Sequence, residues 1–148
     1  MRDEPVIVAV KLLHPDAKLP RLANSGDVAF DLYSVEELTL KPGAWHAVGT
    51  GISLEIPQGY EGQVRPRSGL ALKHGVTVLN APGTIDSGYR GEVKSIMINH
   101  GNAPFKITKG MRISQLAIRA VPKPLFEAVD NLENSERGDG GFGSTGMK

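Results

Sequence analysis

Apolar residues along this chain come in short runs, most of them alternating with polar ones, and almost every run is ended by Gly, Pro, Asn or Asp. A period of two broken by turn residues predicts short strands joined by tight connections. Residues 6–13 are apolar except for Lys11, which fits a strand buried on both faces or one lying at a subunit contact. Over residues 26–34, Val28, Phe30 and Leu32 share one strand face and Asp27, Ala29, Asp31 and Tyr33 the other, so Asp31 is expected to point away from the apolar stripe. Residues 38–40 and 45–48 read as further strands. Residues 52–56 are expected to form a hairpin with the alternating Tyr60, Gly62 and Val64 through Pro57-Gln58-Gly59, with Gly59 in the left-handed position.

The pattern then changes. Leu70, Ala71, Leu72 and Lys73 are good helix formers, and Ser68 as N-cap with Gly75 past the C-terminus brackets a short helix. Free N–H groups at its start, with Arg65 and Arg67 alongside, suit an anion; an ordinary capped helix with solvated arginines fits the same residues. Strands are expected again at residues 76–79, 93–99, 105–108 and 113–118, with Gln115 opposite Leu116 and Ile118, and a last short one at residues 125–129. Residues 135–146 hold too many glycines to pack unaided, as a disordered end or as a flexible strap carrying Arg137, Phe142, Ser144 and Thr145.

At 148 residues the chain fits one domain with a real core, and 18 Gly and 10 Pro spread among many short elements favour an all-β architecture. A formal charge of +1 gives no general pull toward nucleic acid or membrane. There is no cysteine, and His14, His46, His74 and His100 show no paired ligand spacing, which removes disulfides and disfavours zinc. The opening Met1-Arg2-Asp3-Glu4-Pro5 is acidic where a signal peptide is basic, and the apolar run stops at Leu13, so a soluble, cytoplasmic protein without a membrane span is expected.

The chemistry concentrates in residues 80–93, Asn80-Ala81-Pro82-Gly83-Thr84-Ile85-Asp86-Ser87-Gly88-Tyr89-Arg90-Gly91-Glu92-Val93, which join two apolar runs. Glycines and Pro82 impose tight turns with bare backbone groups. Among them stand one carboxylate, Asp86, and one aromatic, Tyr89. Such a set can hold a planar hydrogen-bonding ring and activate a water, although an Asx turn at Asp86 and a hairpin aromatic at Tyr89 explain the same residue types.

Five separated stretches, residues 27–34, 66–75, 83–93, 112–118 and 137–146, resemble the five motifs of the trimeric dUTP diphosphatases (dUTPases) in order and spacing. Arg137-Gly138-Asp139-Gly140-Gly141-Phe142-Gly143-Ser144-Thr145-Gly146 is the most specific of them. The resemblance implies an all-β, distorted jelly-roll-like β-barrel (β-clip, dUTPase-like) with one short helix, assembled as a homotrimer with C-terminal arm exchange. Residues 1–134 would form the β domain and residues 135–148 the arm closing over a neighbour's site. It implies hydrolysis of dUTP to dUMP and pyrophosphate with Mg²⁺. Asp86 would be the base activating water, Tyr89 would lie under the deoxyribose, and Asn80 with Gly83, Thr84 and Ile85 would read the uracil. Arg67, Ser68, Gly69 and Gln115 would meet phosphate, and Lys94 would also touch substrate. From the arm, Arg137, Ser144 and Thr145 would reach the γ-phosphate, Gly143 would touch substrate, and Phe142 would cover the uracil. Asp31 would touch the metal through water.

Ala29, two residues before Asp31, stands where the family usually has Gly, which weakens the case for Asp31 in particular. A dCTP deaminase of the same superfamily would show Arg-Ser-Ser and a glutamate base, against Arg67-Ser68-Gly69 and Asp86 here. A non-catalytic, nucleotide-sensing regulatory protein would not need Asp86, Tyr89 and the whole arm.

Overall fold

The structure, a computed structural model, describes residues 4–146. Residues 1–3 of the N-terminal reading and residues 147–148 of the arm lie outside the described residues. Ten strands and one helix follow one another: β1 (Ala9–Leu12), β2 (Phe30–Tyr33), β3 (Leu38–Leu40), β4 (Trp45–Glu55), β5 (Tyr60–Arg65), α1 (Ser68–His74), β6 (Val76–Val78), β7 (Gly83–Ile85), β8 (Glu92–Asn99), β9 (Phe105–Ile107) and β10 (Arg112–Ala120). The all-β class with one short helix is the one expected.

Two four-stranded antiparallel sheets, ordered β1-β4-β8-β6 and β2-β10-β5-β7, are joined by a two-stranded ribbon, β3-β9. One core takes side chains from all three: Val48, Ile52, Val93 and Met97 from the first sheet, Leu32, Val64, Ile85, Ile113 and Leu116 from the second, Leu40 and Ile107 from the ribbon. The polar groups trapped in it are paired, as burial demands. Ser95 and Ser114 bond across the sheets, and Asn99 donates to the Leu40 and Ala103 carbonyls.

One expected pairing does not form, because alternation marks a strand without naming its neighbour. Residues 52–56 and 60–64 are not a hairpin: β4 pairs with β1 and β8, β5 with β10 and β7, so the turn through Pro57-Gln58-Gly59 carries the chain between sheets. Gly59 does take φ 90 there. The stretch 80–91 runs between β6 and β8, which do pair antiparallel, and β7 within it leaves to join the second sheet. Residues 45–48 and 52–56 merge into the single strand β4, which bulges in the middle.

Three local expectations also change. Strand β1 is an edge strand and mostly exposed in the protomer, which leaves the subunit-contact reading of its apolar run and removes the doubly buried one. Asp31 does lie off the apolar stripe, next to the core residue Leu32, and is only 4% exposed with the Arg112 guanidinium 3.5 Å from its carboxylate. Arg67, not Ser68, is the N-cap of α1, and no side chain caps it, whereas Gly75 closes the helix with φ 68 as expected. No strand forms at residues 125–129; the last backbone hydrogen bond to the body is Val121 N–H to the Gly59 carbonyl, 2.8 Å, and Leu125 and Phe126 are 87% and 91% exposed. A strand needs a partner edge, and residues 125–129 dock on none of the open edges of the protomer. Among the described residues no helix is long and apolar enough to cross a membrane.

Candidate active site

Strand β7 is the outer strand of its sheet: Gly83, Thr84 and Ile85 pair with Val64, Gln63 and Gly62 of β5 on one side and with no strand on the other. Such an edge presents unmatched N–H and C=O groups. It borders a cavity of about 260 Å³ lined by Asn80, Gly83, Thr84, Ile85, Asp86 and Tyr89, with Ala47, Lys94 and Ile96 from the opposite sheet. Gly83 lets the Asn80 amide close in, since a Cβ there would sit 3.3 Å from Val64 and 3.4 Å from the amide nitrogen.

Asp86 leaves the end of β7 at the start of a turn closed by Tyr89 N–H to the Asp86 carbonyl, 3.1 Å. Its side chain is exposed and makes no hydrogen bond or ion pair among the described residues. The Asx turn that would have explained this aspartate structurally is therefore not made by its carboxylate. A second cavity of about 460 Å³, lined in part by Tyr60, Ser87 and Val121, touches Asp86 from the other side. Tyr89 is held at the wall of the first cavity by its hydroxyl, which donates to the Glu92 carbonyl at 2.9 Å. Arg90 fastens the turn from outside, donating to the Ser87 carbonyl at 2.6 Å and facing Glu55 at 3.7 Å.

Arg67, Ser68, Gly69 and Gln115 do not line either cavity. They gather at a separate place, where Asp31, Gln115 and Arg65 stand in register across β2, β10 and β5. Arg67 donates to the Arg112 carbonyl at 2.9 Å, and the Arg112 guanidinium lies 3.5 Å from the Asp31 carboxylate. Ser68 and Gly69 are exposed at the start of α1. The arm stands apart from both places: Arg137 Nε bonds the Gly140 carbonyl, Ser144 N–H the Gly141 carbonyl, and Phe142, with φ 51, is fully exposed. One protomer therefore holds the expected residues in three groups that do not touch.

Two residues here escaped the sequence reading. Arg112 links Asp31 to Arg67, and its only signal was its place at the head of the fourth motif. Glu92 anchors Tyr89 and lines the cavity, hidden because a Glu opening a strand looks like an ordinary surface residue.

Fold and site together define an all-β protein whose edge strand β7 borders a cavity with an exposed, unengaged carboxylate. The dUTPase family model matches residues 15–146. The deoxyuridine 5'-triphosphate nucleotidohydrolase of Clostridium acetobutylicum is 55% identical over 143 residues, covering 97% of this chain and 99% of that one. The enzyme of the same name from Clostridioides difficile is 56% identical over 138 residues, covering 93% and 96%. Among solved structures, the Staphylococcus bacteriophage 80alpha dUTPase with dUPNHPP superposes with a TM-score of 0.88 at 29% identity, covering 95% of this chain and 99% of that one. The chain belongs to the dUTPase family, the dUTP diphosphatases.

Proposed function

We propose that this protein hydrolyses dUTP to dUMP and pyrophosphate, which supplies dUMP for thymidylate synthesis and keeps uracil out of DNA. The observation that carries the reading is the cavity along β7, with an unmatched strand edge, the Asn80 amide, an unengaged carboxylate and an anchored ring on its lining. Uracil carries an acceptor, a donor and an acceptor along one edge, which a strand edge can match as a neighbouring strand would. The 80alpha enzyme's structure with dUPNHPP supports the same choice of ligand.

In this reading Asp86 takes the proton of a water whose oxygen bonds to the α-phosphorus, while the bond from that phosphorus to the β-phosphate oxygen breaks and pyrophosphate leaves. General base help of this kind is worth roughly 10² to 10⁴ in rate. Tyr89 packs under the deoxyribose. Arg67, Ser68, Gly69 and Gln115 meet the phosphates from a second copy of the chain, because within one protomer they stand apart from the cavity. The arm of a further copy brings Arg137, Gly143, Ser144 and Thr145 to the phosphate end and Phe142 over the base, excluding water. A homotrimer with exchanged arms is the assembly that joins the three groups.

Among the described residues no three His, Asp or Glu side chains converge on a metal position, and Asp31 is engaged with Arg112. Mg²⁺ would therefore be carried mainly on the triphosphate, with Asp31 reaching its shell only through water, and would neutralise phosphate charge. Arg67 and Arg137 add fixed positive charge at the same end.

The test is Asp86→Asn in the purified full chain. Turnover of dUTP is expected to fall by about 10² to 10⁴, with the assembly's mass and melting temperature unchanged; near-normal turnover would remove Asp86 as the base.

A further inference from the structure

Glu92 opens β8 and lines the cavity, yet its carboxylate is engaged elsewhere: Oε2 accepts the Gly51 N–H at 3.0 Å. The acceptor meets a donor that the fold has turned out of its ladder. Between the paired positions Gly49 with Lys94 and Ser53 with Glu92, strand β4 places Thr50, Gly51 and Ile52 opposite the single Val93. A bulge of this kind leaves N–H groups without a cross-strand partner. Gly51 takes φ 72 there, and Gly49 leaves the carboxylate its space, since a Cβ at Gly49 would lie 2.6 Å from Glu92 Oε2.

Through its own carbonyl, Glu92 also receives the Tyr89 hydroxyl at 2.9 Å. Gly91 makes that approach possible, because a Cβ there would run into the Tyr89 ring. One residue thus ties the bulge of the first sheet to the aromatic wall of the cavity.

The geometry points to Glu92 as a positioning residue that fixes the Tyr89 ring and so sets how strongly the site prefers a deoxyribose to a ribose on its uracil nucleotide. The inference rests on the dUTP reading of the cavity. Tyr89 is partly exposed and turns on two torsions, so its tilt depends on where its hydroxyl is received. With the Glu92 side chain gone, the start of β8 loses its hold on Gly51, the receiving carbonyl shifts, and the ring tilts to leave room for a 2′-hydroxyl. Asp86 has no bond to Glu92 among the described residues, so turnover of dUTP itself stays close to wild type.

The test measures kcat and KM for dUTP and UTP in Glu92→Ala, Glu92→Gln and Tyr89→Phe full-length chains. Glu92→Ala is expected to lower the dUTP-to-UTP ratio of kcat/KM about tenfold, mainly through better use of UTP. Glu92→Gln keeps an oxygen for the Gly51 N–H and is expected to hold the wild-type ratio. Tyr89→Phe removes only the hydroxyl and should lower the ratio as Glu92→Ala does, with no further loss in the double variant, because both cut one link. An unchanged ratio in Glu92→Ala, or an equal loss in Glu92→Gln, overturns the inference. Should Glu92→Ala fail to fold, a wild-type ratio in Tyr89→Phe overturns it instead. A wild-type chain that hydrolyses neither nucleotide would remove the dUTP reading and this inference together, and would be seen before any variant is compared.

Discussion

Single residues here are defined by what engages their polar atoms. Asp86 stands in solvent with its carboxylate unused, while three other carboxylates are committed: Asp31 to Arg112, Glu92 to Gly51 and Glu36 to Gly49 and His46. Burial raises the pKa of Glu36, but the Gly49 N–H, His46 and Lys94 together outweigh it and hold the carboxyl below the ordinary glutamate value. A carboxyl lowered by folding stabilises the fold above its unfolded pKa, about 4.3, and that contribution disappears as the pH falls below it. Wild type is therefore expected to melt higher than Glu36→Gln at neutral pH, with the gap narrowing below pH about 4; thermal melts across that range check it, and a constant gap would contradict it. Asp86 and Tyr89 were legible as a chemical pair because turn residues isolate them in the sequence. Asp31 lies off the apolar stripe as alternation implies, but alternation cannot say that a distant Arg112 pairs with it there.

At the scale of elements, the strands were legible and their partners were not. Residues 52–56 and 60–64 follow one another across a tight turn, yet pairing is decided by which distant edges can be covered, and β10 and β8 claim them separately. Residues 125–129 carry strand-forming apolar residues yet stay unpaired, with Leu125, Phe126 and Val129 exposed. The edge of β7 yields a direct expectation. Its donors and acceptors suit the uracil edge, and cytosine replaces an acceptor with an amino group, leaving a buried group unpaired; dCTP is expected to be used about 10⁴-fold less well than dUTP, as competing-substrate kinetics will show. The arm yields another. A chain ending at Glu136 loses, among the described residues, no hydrogen bond or ion pair to the body, so its melting temperature should match wild type while its activity drops about 10²-fold or more through lost positioning; full activity in that truncation would contradict arm closure.

For the whole molecule, the three groups of site residues lie apart in a protomer that also exposes the apolar Ile7 and Leu12 near its edge strand and Leu125, Phe126 and Leu132 in its tail. Apolar surface of that kind is what contact with a second copy would cover. In the sequence, assembly is implied only by the motifs, since no local pattern states which copy would supply which group. Mixing variants measures it most directly. Asp86→Asn lacks the base, Arg67→Ala lacks a phosphate contact, and each alone is expected to be nearly inactive as a purified homo-oligomer. When the two are unfolded together and refolded as mixed assemblies, some sites join an intact Asp86 from one copy to an intact Arg67 from another. The account predicts that such mixtures regain dUTP hydrolysis well above the sum of the separate variants; activity no greater than that sum would show that each protomer builds its site alone.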